Sequence, residues 1–269
     1  MKKRLSFLLA AVLVFLLVLT SCGDPYKGNY EEISEEQAEE YLDRLYELEE
    51  VIKGKSVKTD FSLLTKDGDS FDEIELSGAV LSDFSDNKVY EEMTMKRTTL
   101  NGTYKVSLKA YTDNESRKTL VEIKASASGK DDFSFKGQIK NEAFDRAMSM
   151  TDFVSIADVL YALENSLKEL IDNRGTKIYA DGDKVKVIID DTTAGETTEK
   201  GEIYAVMSGD DFRCKFSSTT QTNSGETDIG DFEIRIVKEK VKIPTSGYET
   251  EMSANQFMEV LTTFMGYDE

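Results

Sequence analysis

Between Ser56 and Lys140 apolar side chains fall on every second position. Six such runs can be traced: Val57-Phe61-Leu63, Ile74-Leu76-Val80, Val89-Met93-Met95, Tyr104-Val106-Leu108, Val121-Ile123-Ala125 and Phe133-Phe135-Ile139. A period of two puts successive side chains on opposite sides of a strand, so each run predicts a strand with one apolar face. The runs are separated by Asp67-Gly68-Asp69, Ser85-Asp86-Asn87, Asn101-Gly102, Asp113-Asn114 and Ser128-Gly129-Lys130. Residues of these types favour tight turns, and connections this short force antiparallel neighbours. The alternate positions carry Lys, Glu, Asp, Ser and Thr, so the other face of the meander meets water. The period returns at Ile178-Ala180, Val185-Val187-Ile189, Ile203-Ala205-Met207, Phe212-Cys214-Phe216 and Phe232-Ile234-Ile236. Two Thr-rich stretches, 192–199 and 219–227, are expected as polar loops.

Elsewhere the spacing is helical. Ser34-Glu-Glu-Gln37 is a capping box, Tyr41, Leu45, Leu48 and Ile52 form one stripe, and Gly54 ends it. The opposite face is crowded with Glu and Asp, which suits a solvated helix near its positive N-terminal end; a calcium- or partner-binding face is the alternative. Residues 141–150 form a short helical candidate. Residues 152–173 form a stronger one, with Ile156, Leu160, Leu163, Leu167 and Leu170 in register before Gly175. A last helix opens with Ser253-Ala-Asn-Gln256, flanked by Met252 and Phe257 as a hydrophobic staple, and continues through Leu261 and Phe264. The expectation is an α+β fold: a curved antiparallel β-sheet or half-open barrel of about 11 strands, with helices packed on its concave face. Residues 31–269 are expected as a single domain; a split near Asn141 is the alternative.

Composition sharpens the picture. The 269 residues include 33 basic and 52 acidic side chains, a net charge of −19, and no histidine or tryptophan. Without histidine, a Ser-His-Asp triad, a Cys-His dyad and a HExxH zinc site are all unavailable. An acidic chain also lacks the basic surface that nucleic acid requires.

At the N-terminus, Lys2, Lys3 and Arg4 precede an apolar run from Leu5 to Leu19 and then Leu19-Thr20-Ser21-Cys22. This resembles bacterial lipoprotein precursors. The resemblance implies that residues 1–21 are a lipoprotein signal peptide and that Cys22 carries a diacylglyceryl thioether as the first residue of the mature chain. It also implies that the protein is held on the extracytoplasmic face of a cell membrane by that lipid. An uncleaved N-terminal anchor is the alternative. Loss of the three basic residues moves the charge from −19 to −22. Residues 22–30 are then the acylated cysteine and a short tether, with a reach of roughly 25–30 Å. Only Cys214 remains as a thiol, and its alternation with Phe212 and Phe216 points it into a core.

No catalytic or phosphate-binding motif stands out. Asp67-Gly68-Asp69 and Asp181-Gly182-Asp183 do not continue as calcium loops and read as hairpin turns. Ser166-Leu-Lys168 lacks the SxxK spacing of a Ser-Lys nucleophile. A non-enzymatic protein without cofactor or metal is expected.

The order of elements—helix, long meander, helices, second meander, helix—resembles the periplasmic lipoprotein-carrier superfold, a half-barrel sheltering acyl chains. That resemblance implies an apolar cavity lined by Phe133, Phe135, Phe153, Ile156, Leu160, Leu163, Phe216, Phe257, Leu261 and Phe264, and a lipid or acyl chain as ligand. If the same side chains fill a dry core, the protein is instead an envelope lipoprotein acting through its surface on a protein partner that the sequence does not identify.

Overall fold

A computed structural model of the chain describes residues 24–34, 36–38, 40–41, 51–67, 72–116, 118–139, 176–191, 197–209 and 211–265. Within them the alternating runs form strands. The first meander comprises β2 (Ser56–Lys66), β3 (Glu73–Asp83), β4 (Lys88–Thr99), β5 (Gly102–Asp113), β6 (Lys118–Ala127) and β7 (Phe133–Ile139). The second comprises β8 (Thr176–Asp181), β9 (Lys184–Asp191), β10 (Thr197–Ser208), β11 (Asp211–Thr222) and β12 (Thr227–Val237). Two-residue strands, β1 (Glu31–Glu32) and β13 (Glu251–Met252), complete a 13-stranded sheet in the order β1-β8-β9-β10-β11-β12-β2-β3-β4-β5-β6-β7-β13. The sheet is curved and unclosed. A single seam joins the two meanders, where β12 runs antiparallel to β2 from Thr227↔Lys66 to Val237↔Ser56.

Thirteen strands replace the expected eleven. The additional two, β1 and β13, are too short to show any alternation. Where they are described, the Thr-rich stretches are partly strand, at 197–199 and 219–222, with a turn at 223–225. Thr219–Thr222 of β11 pairs with Thr197–Lys200 of β10, because β-branched Thr fits a pleated ladder better than a loop.

Register gives the sheet two unlike faces. Odd positions of β2 and even positions of β3 share a face, and the pairing carries that phase across every long strand. One face is mostly apolar, with Asp228, Thr65 and Arg97 in one row near the strand ends. The other carries cross-strand ion pairs between register partners: Glu75–Lys96 at 2.5 Å, Glu92–Lys109 at 3.1 Å and Glu122–Lys136 at 3.0 Å.

Both ends of the described chain wrap around this sheet in the same way. Residues 24–30 cross the charged face, where Tyr26 is buried against Tyr204 and its hydroxyl donates to Glu233. The chain then forms β1 on the β8 edge and turns onto the apolar face, with helical backbone at 36–38, 40–41 and 51–52. At the other end, residues 238–250 cross the charged face of the first meander. The Tyr248 hydroxyl donates to Glu122, and its ring meets Tyr111 edge-on at 6.4 Å. This strap leads into β13 on the β7 edge and then into the C-terminal helix Ala254–Met265 on the apolar face. Each helix opens with a reciprocal capping box. The Ser34 N–H donates to Gln37 Oε1 at 3.1 Å and the Gln37 N–H to Ser34 Oγ at 3.3 Å. Ser253 and Gln256 do the same at 3.0 and 3.3 Å. The stretch expected as a free tether is therefore packed on the sheet from Asp24 onward, because its tyrosines find partners there.

Two apolar clusters result. One joins Ala38 and Ile52 to Ile178, Val187, Ile203 and Phe212. The other sets Phe257 and Phe264 on Val106, Leu108, Val121 and Ile123. The C-terminal helix thus packs on the sheet as the sequence predicts, with Met252 and Phe257 both buried as its staple. The stripes at 42–50 and 141–175 lie outside the described residues.

Candidate functional site

Between the two clusters the apolar face continues as a strip over β12, β2, β3 and β4. Its floor is aromatic and flexible by turns. Phe232 stands between Phe216 and Phe61, with ring centroids 6.3 and 6.4 Å away. Leu63, Leu76, Met93 and Met95 extend the strip along the strands. These side chains are half-buried, and Leu63 is 37% exposed, in contrast to the fully covered positions of the two clusters. Gly78 sits opposite both Phe61 and Met93; a Cβ there would lie 2.8 Å from the Phe61 ring and against the Glu92 carbonyl oxygen. Only glycine leaves room for that ring to lie flat.

Thr59 and Glu91 stand in the middle of this face. One row of register runs Cys214, Ile234, Thr59, Val80, Glu91, Ala110 across six strands. Thr59 is 7% exposed and its hydroxyl has no hydrogen-bond partner. Glu91, two strands further and so about 9.5 Å away, faces Val80 on one side and Ala110 on the other. Its same-strand neighbours on the face are Val89 and Met93, so among the described residues none of its register neighbours is titratable. Burial alone pushes its carboxyl up to about 7. Arg97 is the cation of this face among the described strand residues. It is held by Asp72, with Nη2–Oδ2 at 2.6 Å and Nε–Oδ1 at 3.0 Å. The sequence did hold the signal for Glu91: it occupies the inward phase of Val89-x-Glu91-x-Met93-x-Met95, the single acid in an otherwise apolar alternation. Thr59 carried no comparable signal, because Thr suits either face of a strand.

Elsewhere the titratable groups are tied into structure. Asp83 is 1% exposed at the end of β3. Burial would raise its pKa, but hydrogen bonds from Ser85 and the ammonium of Lys240 outweigh that and hold the carboxyl at about 2. Lys240 Nζ lies 2.9 Å from Asp83 Oδ1 and also donates to Ser85 Oγ, which itself donates to Asp83 at 2.7 Å. A serine and a lysine do meet here, yet the lysine is bound as an ammonium by a carboxylate and has no lone pair with which to activate the hydroxyl. The cluster pins the C-terminal strap to the β3–β4 turn. Cys214 is buried as expected, and burial pushes its thiol up to about 12, which leaves it unreactive. On the charged face, hydrogen bonding from Tyr248 and then Lys136 holds Glu122 below the ordinary carboxylate range. Among the described residues no cluster of three or more Cys, Asp or Glu could hold a metal ion, and no helix is long and apolar enough to cross a membrane.

Of the expected cavity residues, Phe257 and Phe264 are buried on β5 and β6. Phe133 and Phe135 border them half-buried, with Phe133 6.1 Å from Phe264. Phe216 belongs to the other side of the strip. The structure therefore divides these five between two clusters about the strip instead of gathering them into one lining. Leu261 lies on the C-terminal helix at a position whose side chain is not described; Phe153, Ile156, Leu160, Leu163 and Cys22 lie outside the described residues. The Asp181-Gly182-Asp183 segment is the β8–β9 hairpin turn, with Gly182 at φ 63°.

Comparison of the chain with protein-family models and with curated proteins finds no match. Among solved structures, a crystal structure of a DUF1329 family protein from Desulfovibrio piger aligns at 8% identity with a TM-score of 0.25, covering 77% of this chain and 94% of that one. A likeness at that level carries no argument about fold or function.

Proposed function

We propose that the protein is a non-enzymatic, extracytoplasmic lipoprotein, anchored to the cell membrane through lipid on Cys22, that holds an apolar ligand such as a lipid or acyl chain against its sheet. The observation that carries this reading is the half-buried strip centred on Phe61, Phe232, Leu76 and Met93, set between two covered clusters on one mostly apolar face. Contiguous accessible apolar surface on a folded domain marks a binding surface. The energetics are adequate. A sixteen-carbon chain gains about 12 kcal/mol at ~0.8 kcal/mol per buried methylene. Association costs of at least ~4 kcal/mol leave roughly 8 kcal/mol, a dissociation constant in the micromolar range. Packing of Asp24–Tyr30 on the sheet shortens the slack beyond Cys22, which keeps such a ligand close to the bilayer.

Native mass spectrometry of residues 23–269 purified from cells, followed by organic extraction, tests the reading. A stoichiometric co-purifying lipid supports it. A clean apo mass with no uptake of added fluorescent fatty acid overturns it in favour of a surface-acting interaction protein.

A further inference from the structure

The N-terminal wrap meets the charged face at one place. Tyr26 is buried there against Tyr204 of β10, and its hydroxyl donates to Glu233 of β12. The Tyr30 hydroxyl donates back to the Tyr26 carbonyl oxygen at 2.6 Å, and Lys184 Nζ donates to that of Lys27 at 2.6 Å. Asp24 belongs to the same turn. Its side chain accepts from the Tyr26 N–H and its carbonyl oxygen from the Lys27 N–H, both at 3.0 Å. In sheet order β10, β11 and β12 are the fourth to sixth of 13 strands, so the turn sits over inner strands and not at the rim. Two Cα–Cα links separate Asp24 from Cys22, which holds those two Cα atoms within about 7 Å of each other. Acid and base are near balance around this turn. Glu202, Asp211 and Glu233 pair with Lys186, Arg213 and Arg235 at 3.4, 3.2 and 2.8 Å. Exposed Lys27 and Lys215 offset Asp24 and Asp181. The chain as a whole carries −19.

We infer that the charged face over β10, β11 and β12 lies against the phospholipid headgroups of the membrane that holds the Cys22 lipid, with the apolar face and its C-terminal helix turned away. This rests on the reading that Cys22 is lipidated. The seating of the wrap, not the length of the tether, sets the orientation. Were residues 23–30 free, a reach of roughly 25–30 Å would let the domain turn in any direction. With Asp24 fixed over the inner strands, that part of the charged face stays at headgroup level. Repulsion between an acidic chain and anionic lipid reaches only about 8 Å at physiological salt. The surface within that distance is the balanced one, so the charge carried elsewhere does not hold it off. A ligand on the apolar face then comes and goes on the aqueous side.

Fluorescence quenching of the protein purified from membranes tests this, in vesicles of phosphatidylglycerol and phosphatidylcholine, part of the latter carrying a nitroxide on its headgroup. Bimane is attached to one introduced cysteine at a time. Lys215→Cys and Thr219→Cys report from β11 on the charged face, and Glu259→Cys from the exposed side of the C-terminal helix. Cys214 is buried and stays unlabelled. A helix about 10 Å across, packed on a sheet, puts Glu259 on the order of 20 Å beyond the charged face. The expected result is quenching at Lys215 and Thr219 and none at Glu259. Tyr26→Ala, which frees the wrap, should bring the Lys215 signal down to that of Glu259. Lipid on Cys22 by intact mass, together with equal quenching at all three positions or quenching confined to Glu259, overturns the inference and leaves the anchor reading standing. Undiminished quenching at Lys215 in Tyr26→Ala overturns the role of the wrap. An intact mass without diacylglycerol on Cys22 overturns both the anchor and the orientation.

Discussion

Replacing Glu91 with Gln should stabilise the ligand-free protein, and only on the alkaline side. In the folded state burial holds the carboxyl near 7, against an ordinary value of 4.5. The unfolded chain therefore releases this proton at lower pH than the folded chain does. Below pH 4.5 both states are protonated and the residue costs nothing. As pH rises from 4.5 to 7 the folded state alone retains the proton, and stability falls steadily; above 7 the full cost is present. A difference of 2.5 pH units at about 1.36 kcal/mol each makes that cost about 3 kcal/mol. Gln keeps the size and hydrogen-bonding capacity of the neutral acid and cannot ionise, so Glu91→Gln recovers it. Urea denaturation of wild type and variant at pH 4.5 and pH 8 reads the effect directly. At an m-value near 3 kcal/mol/M the midpoint should rise by about 1 M at pH 8, and by less than a fifth of that at pH 4.5. A midpoint shift of the same size at both pH values, or none at either, would show that the carboxyl is not withdrawn from water and would refute the reasoning.

Two further substitutions probe the frame around the strip. Lys240→Met removes the ammonium that helps hold Asp83 at about 2 from an ordinary 3.8. The stability this pair contributes is complete above about pH 4 and lost as pH falls through 2; with Lys240 half-exposed, screening limits it to about 1 kcal/mol. The variant should lower the urea midpoint at pH 7 and leave it unchanged at pH 2, and an equal loss at both would assign the effect to packing. Gly78→Ala places a Cβ against the Phe61 ring and the Glu92 carbonyl oxygen, which should cost about 1–3 kcal/mol. A raised melting temperature, the ordinary result of replacing a strand glycine by alanine, would show that the close approach is absent.

The strands themselves were legible because alternation is a local code. Val57 through Ile139 and Ile178 through Ile236 each announce a face, and every one of those runs became a strand. The order of strands was not legible, since nothing in Phe61 or Phe232 says that they will be neighbours across the seam. The wraps were equally silent. Tyr26 and Tyr248 act as single side chains seated on the charged face, and a lone tyrosine in a polar stretch has no period to betray its partner. Glu91 is a different case: the alternation placed it inward, but a charged residue in an apolar phase looks like an interruption until the register shows what it faces. Cys214 was read correctly because two flanking aromatics fixed its phase. The helical stripes assigned to the cavity fall largely in 141–175, outside the described residues.

The β12–β2 seam has a consequence for how the molecule is made. β2 ends at Lys66, whereas β12 does not begin until Thr227. During synthesis the first meander can close through its local hairpins long before its partner strand exists, leaving β2 as an open edge from Ser56 to Lys66. An unpaired edge of that length templates whatever strand arrives first. At high chain density the β12 of a second copy can satisfy the same register, from Val237↔Ser56 to Thr227↔Lys66. Concentrated refolding should therefore produce a swapped dimer in which each second meander completes the other molecule's sheet, and dilution before refolding should return the monomer.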